Sequence, residues 1–138
     1  MIPRSTGFRS TMSTSANKSW PVVLVVEDDP LLRMLAVEVV EEAGYTAIEA
    51  RDADEAVVLL ESRTDIALLF TDIDMPGSMD GLKLAHAVRN RWPPIKILIV
   101  SGKQQLQTCD LPSNSCFFGK PYRTAAVVEE LRSMIGSR

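Results

Sequence analysis

The sequence predicts a doubly wound α/β fold: a five-stranded parallel sheet with helices on both faces. Three observations carry that expectation. Short β-branched or apolar runs of strand length alternate with stretches whose apolar residues recur at helical spacing. The first run, Val22-Val23-Leu24-Val25-Val26, is apolar on both of its faces, as a central strand covered on each side must be. The third is size: 138 residues with 46% hydrophobic and 24% charged side chains support one core and no second domain. Strands separated by crossover helices lie parallel, with right-handed connections.

After the first strand, Asp29-Pro30 offers a capping carboxylate and a proline suited to the first helical position. Apolar residues at 32, 35, 36, 39, 40 and 43 then repeat at helical spacing, and Gly44 ends the helix. Tyr45 to Ala50 reads as the second strand. Asp52 or Asp54 caps a second helix that carries Ala53, Ala56, Val57 and Leu60 on one face. Ile66 to Thr71 is the third strand. Beyond a Pro/Gly loop, Leu82, Ala85, Val88, Arg89 and Trp92 mark a third helix, stopped by Pro93-Pro94. Ile95 to Val100 is the fourth strand and residues 115–119 the fifth. A final helix over 122–135 turns Val127, Val128, Leu131, Met134 and Ile135 inward. The polar segment 102–114, closed by Pro112, holds at best a short helix with one apolar anchor.

Residues 1–19 carry Arg4, Arg9 and Lys18, and all 18 acids lie beyond them. This stretch lacks periodicity and is expected to be a flexible tail before a folded domain over 20–138. No apolar run exceeds five residues, which excludes a transmembrane helix, and there is no leader of the secretory kind. Net charge is −3, which does not point to nucleic acid. One histidine excludes multi-histidine metal sites. Two cysteines, Cys109 and Cys116, are too few for a disulfide scaffold, so a reducing, cytoplasmic setting is expected.

Chemistry in such a sheet gathers at the carboxyl ends of its strands. Strand 1 ends in Glu27, Asp28 and Asp29, strand 3 in Asp72, strand 4 in Ser101 and strand 5 in Lys120. Two carboxylates about 5 Å apart repel by roughly 3 kcal/mol at an effective dielectric near 20. A cluster of Glu27, Asp28 and Asp72 therefore needs compensation, or one member takes up a proton. A hard divalent cation removes the conflict. Few ligands, all of them oxygen, indicate Mg²⁺, with Mn²⁺ as an alternative, and leave room for phosphate oxygens.

These motifs resemble a known family. Glu27-Asp28-Asp29-Pro30, Thr71-Asp72-Ile73-Asp74-Met75-Pro76, Met79-Asp80-Gly81, Val100-Ser101-Gly102 and Phe117-Phe118-Gly119-Lys120-Pro121 look like the receiver domain of bacterial two-component response regulators, over about residues 20–137. The resemblance implies a flavodoxin-like sheet of strand order 2-1-3-4-5. It implies that Asp72 accepts a phosphoryl group from a sensor histidine kinase or a histidine phosphotransfer protein. Mg²⁺ would be held by Glu27, Asp28, Asp72 and the backbone carbonyl of Asp74. Lys120 would neutralise phosphoryl oxygens, Ser101 would bind the attached group, Phe117 would be the switch aromatic, and the Lys120-Pro121 bond would be cis. A phospho-accepting signalling domain is implied, not an enzyme with free substrate turnover. Glu27 departs from the commoner Asp at its position, and Gly77-Ser78 lengthen the loop after Pro76.

Other residues take plainer readings. Asp29 is a helix cap, His86 an exposed helix residue, and Cys109 and Cys116 small apolar fillers. Gly102-Lys103 lacks the glycine and hydroxyl spacing of a P-loop. Exposed Leu31 and Met34 on the first helix could serve a homodimer. Nothing after residue 138 supplies an output domain, so a stand-alone receiver signalling through protein partners, without nucleic acid or membrane, is the leading expectation. A degenerate receiver that only binds partners is the second. A haloacid-dehalogenase-type phosphatase, suggested by Asp72-Ile73-Asp74, is the third.

Overall fold

A computed structural model describes residues 21–75, 80–102 and 111–136. The order is β1 (Val22–Val26), α1 (Pro30–Ala43), β2 (Thr46–Ala50), α2 (Ala53–Ser62), β3 (Ile66–Asp72), α3 (Gly81–Arg91), β4 (Lys96–Ser101), β5 (Ser115–Gly119) and α4 (Thr124–Ile135). The strands form one parallel sheet in the order β2-β1-β3-β4-β5. This is the doubly wound order that the resemblance implies. The tail 1–19, the loop around Gly77-Ser78 and most of the 102–114 segment lie outside the described residues.

Alternation along β1 builds two cores. Val23 and Val25 face a cluster with Ala36, Val39, Val40 and Ala43 of α1 and Val127, Val128 and Leu131 of α4. Val22, Leu24 and Val26 face the other cluster, with Ala53, Ala56 and Leu60 of α2 and Leu84, Ala85 and Val88 of α3. No residue of β1 is more than 3% exposed, which is why the run reads apolar throughout. A register shift against β1 at Val22/Val23 passes over Ala67. It puts Ile66 and Leu69 on one face and Leu68 and Phe70 on the other.

The helix ends follow the local chemistry. Asp29 Oδ1 accepts from the N–H groups of Leu31 (2.9 Å) and Leu32 (3.1 Å), with Pro30 beside it. Gly44 closes α1 at φ 101°. Of the two candidate caps for α2, Asp52 does the work, accepting from Glu55 N.

β3 and β4 each end one residue later than expected, at Asp72 and Ser101, and three elements start later than expected. β2 begins at Thr46 because Tyr45 N–H still closes α1 on the Val40 carbonyl, while its hydroxyl donates to Gly136 O at 3.0 Å. β4 runs one residue later because Ile95 N–H turns back to Trp92 O across Pro93-Pro94. α4 starts at Thr124 because Tyr122 is drawn against Phe70, ring centroids 6.3 Å apart, and packs on the core instead of opening the helix.

Candidate functional site

The strand ends hold the chemistry because the ladder runs past them. Glu27 N–H bonds Ala50 O, Ile73 N–H bonds Val100 O, and Lys120 N–H bonds Ser101 O. The loops leaving β1, β3 and β5 are thus fixed for one more residue than the strands themselves.

Glu27, Asp28 and Asp72 each bring a carboxylate oxygen within 4.8 Å of the others. Asp72 closes β3 at 3% exposure, Glu27 is 5% exposed, and Asp28 faces solvent. Lys120 Nζ lies 3.0 Å from Asp72 Oδ1 and 3.3 Å from Glu27 Oε1. The first contact is an ion pair, and buried Asp72 Oδ1 takes no further hydrogen bond from the described residues. Glu27 Oε2 takes the Asp29 N–H at 3.2 Å, and the Glu27 carbonyl takes Arg33 Nη1 at 3.0 Å. Ser101 closes β4, and its hydroxyl donates to Asp74 Oδ2 at 3.1 Å. The Lys120–Pro121 bond is cis.

The residues named from the sequence therefore fall into one cluster of Glu27, Asp28, Asp72 and Lys120, with Ser101 and Asp74 paired beside it. Phe117 stands apart. It pairs with Ile99 across the β4–β5 ladder, packs half-buried on the α2/α3 core, and lies two residues below the level of Ser101 on the same face of the sheet. Two contributors were not singled out by sequence reasoning: the Arg33 grip on Glu27, and the closeness of Gly81 to Asp72. A groove of about 550 Å³ leads from Lys120 and Asp72 along α1, between Leu32, Leu35 and Val39 on one side and Pro121 and Tyr122 on the other.

The electrostatics show what the cluster lacks. Burial pushes the Asp72 carboxyl above its ordinary range, and Lys120 and the Asp74 N–H only partly oppose this. Burial also raises Glu27; the Asp29 N–H opposes the shift and the charge of Asp72 adds to it. Lys120 is pulled down by burial, but Asp72 and Glu27 outweigh this and hold it charged, above its ordinary value. One cation among three carboxylates leaves the cluster short of positive charge. An unsatisfied buried oxygen among hard oxygen donors fits a divalent cation of the Mg²⁺ kind.

A pH dependence follows. An acid whose folded pKa is raised contributes stability below its ordinary pKa and loses it as pH rises through the folded value. In chelator, Asp72→Asn is expected to melt above the parent protein at neutral pH, by about a few degrees, with the gap shrinking towards about pH 4. Thermal melts across that range check it; a gap that widens towards acid contradicts the raised Asp72 carboxyl.

The family model for the response regulator receiver domain matches residues 23–111. The chain belongs to this family. The receiver is 30% identical over 116 residues to the response regulator receiver protein CpdR of Brucella abortus, a match covering 82% of this chain and 95% of that protein. It is 34% identical over 87 residues to the nitrogen assimilation regulatory protein NtrX of Azorhizobium caulinodans, over 62% of this chain but only 19% of that longer protein. Among solved structures it is similar to the response regulator TrrA of Thermotoga maritima in complex with Mg²⁺-BeF, at TM-score 0.72 and 25% identity over 83% of this chain and 98% of that one. Receivers are signalling domains of two-component systems and not classical enzymes. No helix among the described residues is long and apolar enough to cross a membrane.

Proposed function

We propose that this receiver works in the cytoplasm, takes a phosphoryl group onto Asp72 from the phosphohistidine of a sensor kinase or histidine phosphotransfer protein in a Mg²⁺-dependent step, and signals by the conformational change that follows. The observation that carries this reading is buried Asp72 Oδ1, without a hydrogen bond among the described residues, 3.0 Å from the Lys120 ammonium and within reach of two further carboxylates. Glu27, Asp28, Asp72 and the Asp74 carbonyl would hold Mg²⁺, or Mn²⁺ in its place. The bound cation supplies charge neutralisation for the phosphoryl oxygens.

The chain's own residues do the rest. An Asp72 oxygen attacks phosphorus as the bond from phosphorus to the imidazole nitrogen breaks, and that nitrogen keeps the electron pair. Lys120, already turned on Asp72, follows the negative charge onto the new phosphoryl oxygens. The Ser101 hydroxyl exchanges Asp74 for a phosphoryl oxygen, and Phe117, on the same face, moves into the space it leaves. The arrangement so reached exists beforehand as a minor population that phosphorylation raises. Leu31 and Met34, 59% and 49% exposed on α1 beside the groove, support protein docking there, by a phosphodonor or a second copy.

Incubation with acetyl phosphate and Mg²⁺, read by intact mass, tests the reading. One phosphoryl group, about 80 Da, is expected only when the metal is present. Absence of an adduct at every Mg²⁺ and Mn²⁺ concentration rejects it. Lys120→Ala is expected to bind the metal at least as tightly as the parent, because a competing cation is removed, while the spectral change on phosphorylation fades. An unchanged response in that variant removes the role given to the ammonium.

A further inference from the structure

Arg33 occupies an odd place for a cation. It sits at the end of the first turn of α1, where the positive end of the helix dipole disfavours it, and its side chain is only 16% exposed. Its guanidinium is spent on two contacts. Nη1 donates to the Glu27 carbonyl at 3.0 Å, and Nε donates to Glu49 Oε1 on β2, also at 3.0 Å. The Glu27 N–H is meanwhile bound to Ala50 O, next to Glu49. Glu27 is therefore gripped at both of its backbone polar groups by β2, directly at the N–H and through Arg33 at the carbonyl.

From this geometry we propose that Arg33 is a positioning residue for the cation site. It fixes the Glu27–Asp28 peptide plane and so the starting points of two of the three clustered carboxylates. Asp28 faces solvent and follows that peptide directly in the chain. Glu49 orients the guanidinium from the strand, so the chain of support runs Glu49, Arg33, Glu27 carbonyl, Asp28. The inference rests on the proposed Mg²⁺-dependent function and adds residues that touch neither metal nor phosphoryl group. Groups that orient metal ligands in this way typically change affinity by about ten- to a hundredfold when removed.

The sign of the effect separates positioning from simple charge. Deleting a cation close to an anionic site strengthens cation binding by Coulomb's law. Loss of positioning weakens it. Calorimetric Mg²⁺ titration of the full chain is expected to give Arg33→Ala an affinity about tenfold weaker than the parent. Arg33→Lys, which keeps a donor for the carbonyl, is expected to recover most of it. Phosphoryl uptake from acetyl phosphate by Arg33→Ala is expected to return to the parental rate at saturating Mg²⁺, so that only the half-saturating concentration moves. Mg²⁺ binding by Arg33→Ala that is unchanged or tighter overturns the proposal, as does a maximal rate that stays low. If Arg33→Ala does not fold, Arg33→Met, which keeps the packing stem but no donor and no charge, decides the matter by the sign of the same titration: weaker Mg²⁺ binding supports positioning, and unchanged or tighter binding overturns it. A parent protein that binds no Mg²⁺ is a different result: it removes the functional reading first and this inference with it.

Discussion

Asp72→Asn is expected to form no phosphoryl adduct with acetyl phosphate, with uptake falling by at least about a thousandfold even at saturating Mg²⁺. The reason is chemical. An amide oxygen has lone pairs but no negative charge, so it is a far weaker nucleophile towards phosphorus than the carboxylate. It also cannot replace the third negative charge of the cluster, so Mg²⁺ affinity is expected to fall by about tenfold as well. Raising the metal concentration separates the two losses. Asp28→Asn, which removes a clustered carboxylate but leaves Asp72, is expected to recover uptake when Mg²⁺ is raised, and Asp72→Asn is not. Intact mass followed by peptide mapping checks both. An adduct that persists on another residue in Asp72→Asn contradicts the assignment of the acceptor. No adduct on the parent protein favours the degenerate receiver, and phosphate release that depends on Asp74 favours the phosphatase.

Charge balance links this prediction to the switch. Three carboxylates face one ammonium, and the carboxyls of Glu27 and Asp72 both sit above their ordinary range because burial costs more than Lys120 returns. A divalent cation brings the group to neutrality. In the proposed reaction a phosphoryl group would then add negative charge and acceptor oxygens near the Ser101 hydroxyl, which has a competing partner in Asp74. The proposed switch would exchange one Ser101 hydrogen bond for another, so the net number of hydrogen bonds need not change.

Most of the fold is visible in the sequence because its elements have strong local causes. β1 is a five-residue apolar run, and α1 has an Asp-Pro start and a Gly stop, so neither depends on distant contacts. The site residues are legible for a related reason: a carboxylate or lysine just after a buried parallel strand must emerge at the same rim of the sheet. What the sequence hides is decided across the fold. The register shift at Ala67 leaves no trace in a run that is apolar at every position. The late start of α4 depends on Tyr122 meeting Phe70, far away along the chain. The Ser101–Asp74 bond spans 27 residues and the Arg33–Glu49 bond 16, and neither pair has a spacing that periodicity could reveal. Arg33 carried one weak signal, a cation in a first helical turn.

Gly81→Ala is expected to be the most damaging small substitution near the site. A Cβ at position 81 would stand 1.8 Å from the Asp72 carbonyl oxygen, 2.7 Å from its carbon and 2.8 Å from Ile73 Cα. All three are backbone atoms of the β3 end, so no side chain can rotate away. Gly81 N–H also bonds Ile73 O at 3.1 Å, which holds the start of α3 against that strand end. The Asp80-Gly81 pair thus has two parts: Asp80 Oδ1 caps α3 through the Lys83 N–H, and Gly81 lets the capped turn touch the residue that would carry the phosphoryl group. An added methyl must push α3 outward or displace Asp72. Overpacking of this kind costs about 3 kcal/mol. For a domain of this size that lowers the melting temperature by about 10 °C. Gly102→Ala, where a Cβ meets nothing within 4 Å among the described residues, serves as the control and is expected to change stability by less than about 0.5 kcal/mol. Thermal melts test the packing, and the rate of phosphoryl uptake, measured well below both melting temperatures, tests the placement of Asp72. If Gly81→Ala melts with the parent and takes up phosphate at the parental rate, the contact between α3 and the end of β3 does not position the acceptor.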